Sequence, residues 1–118
     1  VDNKIPVLTL NDLVMKQAEE LHAPQLAPAR EKTGSTDFGN VMRRVPGTCA
    51  RIAFVDPGAA AHSQEYIAAG KTDAAHDAVV YGAKILAGTA LELIEDPELL
   101  NRVKTEFKEN LAKENSEV

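Results

Sequence analysis

The chain has 118 residues and a net charge of −5, with 44% hydrophobic, 26% charged and only 4% aromatic residues. That length suits one domain burying roughly 65% of its unfolded surface, around an aliphatic, alanine-rich core because Trp is absent. An acidic balance without a clustered basic face argues against general nucleic-acid binding and disfavours attachment to an anionic membrane.

The first element is a helix in "VDNKIPVLTLNDLVMKQAEELHAP". Leu10, Leu13, Val14, Ala18 and Leu21 recur at helical spacing, with Thr9 or Asn11 available as a cap. Pro24 and Pro28 close it, and His22 reads as a helix-terminal residue. Next comes "KTGSTDFGNVMRRVPG", a polar loop from Gly34 to Asn40 followed by a short strand over Val41–Val45. The better strand is "TCARIAFV", Thr48–Val55. There Ala50, Ile52 and Phe54 face one way, and Cys49, Ala53 and Val55 face the other with Arg51. Apolar residues on both faces imply an interior strand covered on both sides. Such a strand needs neighbours that this chain scarcely supplies.

After the Asp56-Pro57-Gly58 turn, Ser63 caps a short helix carrying Gln64 and Glu65 in its first turn. Thr72 or Asp73 caps a long one from about Ala74 to Glu95. Its stripe is Ala75, Val79, Gly82, Leu86, Ala90 and Leu93, with further apolar residues outside it, as expected of a helix packed on a sheet. Asp96 and Pro97 start the last helix. Leu100, Val103, Phe107 and Leu111 form its single apolar stripe, and the tail from Glu114 frays.

Cys49 is the sole cysteine, so an intramolecular disulfide and a Cys-based zinc site are excluded. It reads as a buried small residue in a reducing, cytoplasmic compartment. No apolar run approaches the ~18 residues of a membrane span, and no signal peptide is evident. The chain opens on Val1-Asp2-Asn3 without a methionine, the start expected of a fragment or a processed product, and equally of a chain from which a tag was removed.

Three places carry candidate chemistry. The Gly34–Asn40 loop is either a locally satisfied polar turn or a backbone-lined cradle for a small polar substrate, with Asp37 bracing it. His62 is either a surface residue or a group placed where a strand ends and a helix begins, the edge at which α/β proteins keep their chemistry. Imidazole is a preferred zinc ligand, but zinc takes at least three protein ligands at a catalytic site, so His62 cannot hold it alone. His76, in the first turn of the long helix and expected to be neutral there, is either a structural residue or a second-choice ligand.

The segments "GSTDFGNVMRRVPG" and "AHSQEYIAAGKTDAAHDAVVYGAKILAGTALELIEDPELL", with the trailing "VKTEF", together resemble part of a known family. They are similar to the C-terminal part of the catalytic domain in the di-zinc aminoacylase/carboxypeptidase amidohydrolases. The closest branch is that of N-acyl-amino-acid and aminobenzoyl-glutamate-type enzymes. The resemblance covers roughly Gly34 to Phe107.

It implies an α/β fold, the C-terminal portion of a zinc-peptidase-like sandwich with one or two strands and three to four helices, incomplete alone. Residues 1–118 would be a single segment without the lid or dimerisation domain. His62 of "AHSQE" would be a metal ligand, and Gly34, Ser35, Thr36 and Asp37 would line the substrate. The parent would hydrolyse the amide bond of small N-acyl amino acids or dipeptides with two zinc ions, or another divalent metal in their place. It would act as a homodimer. The partners of this chain would be the remainder of its catalytic domain, the lid domain and the amide substrate.

The family's His-x-Asp segment and Glu-Glu pair have no counterpart here, since Glu19-Glu20 lie inside an amphipathic helix. The isolated chain is therefore expected to be inactive and to hold no metal by itself. The contrasting reading is a stand-alone α/β or helical interaction module.

Overall fold

The computed structural model describes residues 2–28 and 36–116. It contains five helices among them: α1 (Leu8–Glu20), α2 (Phe38–Met42), α3 (Gln64–Ala69), α4 (Asp73–Glu95) and α5 (Pro97–Ser116). None of the described residues forms a strand. The expected α/β sandwich is therefore corrected to an all-helical arrangement, and its three to four helices to five.

α1 forms where its periodicity places it, burying Leu10, Leu13, Val14, Gln17 and Ala18 at the i, i+3, i+4, i+7 and i+8 positions of one face. Neither Thr9 nor Asn11 caps it. The carboxylate of Glu106 on α5 instead accepts the N–H groups of Leu8 and Thr9, the latter at 3.2 Å. The other end closes through two reversed bonds, His22 N–H to Glu19 O and Ala23 N–H to Ala18 O, both 3.0 Å. His22 sits between them at φ 55. That is a Schellman closure with a histidine in the left-handed position usually given to glycine.

α2 replaces the loop's end and the first expected strand. Phe38 and Met42 stand four residues apart, and both pack on the core, which favours a helical turn. Val41 and Val45, the residues with the highest β preference, are left 46% and 51% exposed. The segment Thr48–Val55 is irregular, because no neighbouring strand among the described residues offers its backbone a ladder. It docks through side chains instead. Ile52 packs against Val14, Ala18 and Ile85, while the rings of Phe54 and Tyr66 meet edge to face at 5.0 Å. Cys49, expected to be buried, is exposed.

The remaining caps agree with the sequence. Ser63 accepts from Tyr66 N–H at 3.3 Å, Thr72 from Ala75 N–H at 3.2 Å, and Asp96 from Leu99 N–H at 3.1 Å. α5 does not fray at Glu114 but continues to Ser116. The Glu114 carboxylate accepts from Asn3 Nδ2 at 3.0 Å and pairs with Arg43 at 3.4 Å, tying the last turns to the N-terminal segment.

α1 packs against both α4 and α5, which turn on each other at Asp96. One cluster gathers Ile5, Val7, Leu10, Leu13, Met42, Val103 and Phe107, and a smaller one gathers Val14, Ala18 and Ile85. α4 presents a different face to them from the one expected. Ala75, Ala78, Ile85 and Thr89 are buried, whereas Val79 and Leu86 are each 72% exposed. The helix rests on α1, where Gly88 admits the side-chain amide of Gln17. No helix of the described residues is long and apolar enough to cross a membrane.

Candidate functional site

Of the four residues expected to line a substrate, Gly34 and Ser35 lie outside the described residues. Thr36 is half-buried, and its hydroxyl accepts the N–H of Phe38 at 3.2 Å. Asp37 is exposed, and its carbonyl accepts Asn40 N–H at 3.0 Å. Its carboxylate makes no cap to α2. Both residues thus help start a helical turn, the local role that Ser, Thr and Asp play before a helix.

His62 is exposed and stands at φ 62 in the turn before α3. The next residue holds the left-handed histidine in place: Ser63 Oγ donates back to Ala60 O at 2.6 Å while accepting Tyr66 N–H. The ring is therefore free of the aliphatic core and open to a ligand. His76 is likewise exposed, on the first turn of α4. Among the described residues, no three His, Cys, Asp or Glu side chains come close enough to hold a metal ion. Since a catalytic zinc takes at least three protein ligands, this donor set does not fit the metal by itself.

Two concavities exist elsewhere. A polar groove of about 580 Å³ runs between α1 and the α4–α5 corner, lined by Thr9, Asp12, Leu13, Lys16, Glu92, Glu95, Asp96, Leu99 and Arg102. Lys16 and Glu92 bridge it at 2.9 Å. That hydrogen bond and the carboxylate's charge raise the lysine above its ordinary pKa of 10.5. The second, of about 380 Å³, lies under Pro24 and Gln25 against Phe54, Val55 and Glu65, where Gln25 Nε2 donates to Val55 O at 3.0 Å. Neither is lined by His62, Thr36 or Asp37. The groove residues carry no motif spacing, because packing alone brings their three helices together.

Comparison with known proteins places the chain beside a peptidase. It is 42% identical over 82 residues to the Xaa-Arg dipeptidase of Mus musculus and 39% identical over the same length to that of Homo sapiens. The matched stretch is 70% of this chain but 19% of either relative, so the chain spans only that small share of their length. An unbroken stretch of 82 residues in a chain of 118 necessarily contains residues 37–82, and with them His62. No family model matches, and neither does any solved structure. The similarity is thus to a stretch of a protein named as a dipeptidase, which agrees with the peptidase resemblance but does not single out the aminobenzoyl-glutamate branch.

Proposed function

We propose that this chain serves as part of a metal-dependent amidohydrolase that cleaves the amide bond of small N-acyl amino acids or dipeptides, Xaa-Arg dipeptides among them. One observation carries the reading: 42% identity over 82 residues to Xaa-Arg dipeptidase, in a stretch that includes the exposed His62. In this reading His62 contributes a single imidazole to a zinc centre whose other ligands lie outside these 118 residues. The Gly34–Asp37 segment forms one wall of the substrate site. The remaining ligands and the proton-transferring carboxylate belong to the rest of the same catalytic domain, and the lid is a separate domain. No step of the hydrolysis is assigned to this chain.

The test compares the natural polypeptide carrying this sequence with the isolated 118 residues. With zinc added, the first should hydrolyse Xaa-Arg dipeptides and the second should not. Metal-dependent hydrolysis by the isolated chain, or none of any N-acyl amino acid or dipeptide by the natural polypeptide, refutes the proposal. A second reading, a helical interaction module, is favoured by the all-helical arrangement of the described residues. An independent start of translation just before Val1, giving a short protein in its source cells, would select it.

A further inference from the structure

Among the described residues, the large apolar side chains left in solvent concentrate on one helix. Val79, Val80, Leu86, Leu91 and Ile94 of α4 are all more than half exposed. With the exposed alanines 83, 87 and 90 they form a band about 140° wide at 100° per residue. No charged residue interrupts the band between Val79 and Ile94. Charge begins at one edge, where Asp77, Lys84 and Glu95 fall in line along the helix beside Leu91. The other side of α4 is also occupied: Ala75, Ala78, Ile85 and Thr89 are buried, and the helix packs on α1 and α5. α5 of the same chain shows what a solvent face looks like, with Arg102, Lys104, Lys108 and Glu109 exposed. α4 lacks such a face opposite its contacts, the pattern of an interior helix.

The stretch shared with the dipeptidases is 19% of either relative's length, so about four-fifths of such a polypeptide lies outside it. A surface tethered in the same polypeptide meets α4 at an effective concentration on the order of millimolar. The band, by contrast, is not its own complement. The two-fold axis that pairs Val79 with Ile94 sets Leu91 over Gly82 of the other copy, a residue turned toward Ile52 of its own chain. It also sets Val80 over Leu93, which packs on its own core. On the reading of this chain as part of a longer hydrolase, we infer that the α4 face from Leu86 round to Leu91 packs against the part of the natural polypeptide outside these 118 residues. Asp77, Lys84 and Glu95 stay at its wet edge.

The test uses the natural polypeptide carrying this sequence, grown with photo-leucine as an equal mixture of light and heavy-isotope chains. On irradiation, Leu86 and Leu91 should cross-link within one chain to residues outside the 118. Links from these positions that join light to heavy chains, links confined to the 118 residues, or no link at either position overturn the inference. Accessibility gives a second readout. Leu86→Cys should alkylate with a maleimide at least about 10-fold more slowly than in urea, and Asp77→Cys nearly as fast as in urea. Equal rates at position 86, or protection at position 77, also overturn it. Hydrolysis assayed on the same samples separates the two readings. An active enzyme with position 86 open to alkylation sinks the packing face alone, whereas protection there without amide hydrolysis sinks the hydrolase reading alone.

Discussion

The Glu106 carboxylate of α5 caps the first turn of α1 by accepting the N–H groups of Leu8 and Thr9. A helix start preceded by Val7 has no side chain of its own to satisfy these donors, so the cap comes from a residue almost a hundred positions away. Burial alone would raise the carboxyl's pKa. The hydrogen bonds from the Thr9 side chain and from the Thr9 and Leu8 amides outweigh it, holding the group below its ordinary 4.5. Glu106→Ala should cost about 1–2 kcal/mol at neutral pH. With a lowered folded pKa, that contribution is complete above the ordinary value and is lost as pH falls through the folded one. Denaturant melts of both proteins from pH 7 to pH 3 should show the difference shrinking on acidification.

His22→Gly should stabilise the chain by about 1 kcal/mol, because an L-residue at φ 55 pays a left-handed strain that glycine lacks. His22→Val should do the opposite, since a β-branched side chain suits that region worst. Thermal melts decide both.

Two adjacent residues report which face of α4 is inside. Ile85 is 2% exposed and packs on Val14 and Ala18, whereas Leu86 is 72% exposed. Ile85→Ala should cost about 2–4 kcal/mol. Leu86→Ala should change stability by less than about 0.5 kcal/mol. Equal losses would restore the face chosen from the stripe Ala75–Leu93.

The starts of α3, α4 and α5 were legible because caps are local: Ser63, Thr72 and Asp96 all bond the N–H three residues on. The α1 stripe was legible because its apolar residues lie on one side. α4 was not, since apolar residues surround it and only tertiary contact selects Ile85 over Leu86. The strand at Thr48–Val55 was misread for a related reason. Its alternation is genuine, but a strand exists only when another pairs with it. Val41–Val45 failed because Phe38 and Met42, at helical spacing, both seat in the core. At the candidate site, the exposed turn of His62 was legible from its place before a capped helix. The groove bridged by Lys16 and Glu92 was not, for it exists only after α1 meets α4.

Two glycines sit where a methyl group would collide, and the obstacles differ. At Gly39 a Cβ meets the backbone carbonyl of Asp2, and at Gly88 it meets the side-chain amide of Gln17. The N-terminal segment is fixed by Asp2 N–H to Asn40 at 2.9 Å, so Gly39→Ala should cost about 1–3 kcal/mol. Gln17 can swing its amide aside, and alanine favours the helix by up to ~1 kcal/mol. Gly88→Ala should therefore be near neutral, as paired denaturation curves would show.

The most direct measurement is the metal content of the natural polypeptide carrying this sequence, determined alongside dipeptide hydrolysis for the wild type and for His62→Ala. Loss of one zinc equivalent together with turnover is the expected result. Unchanged stoichiometry with full activity would remove His62 from the centre and contradict the account.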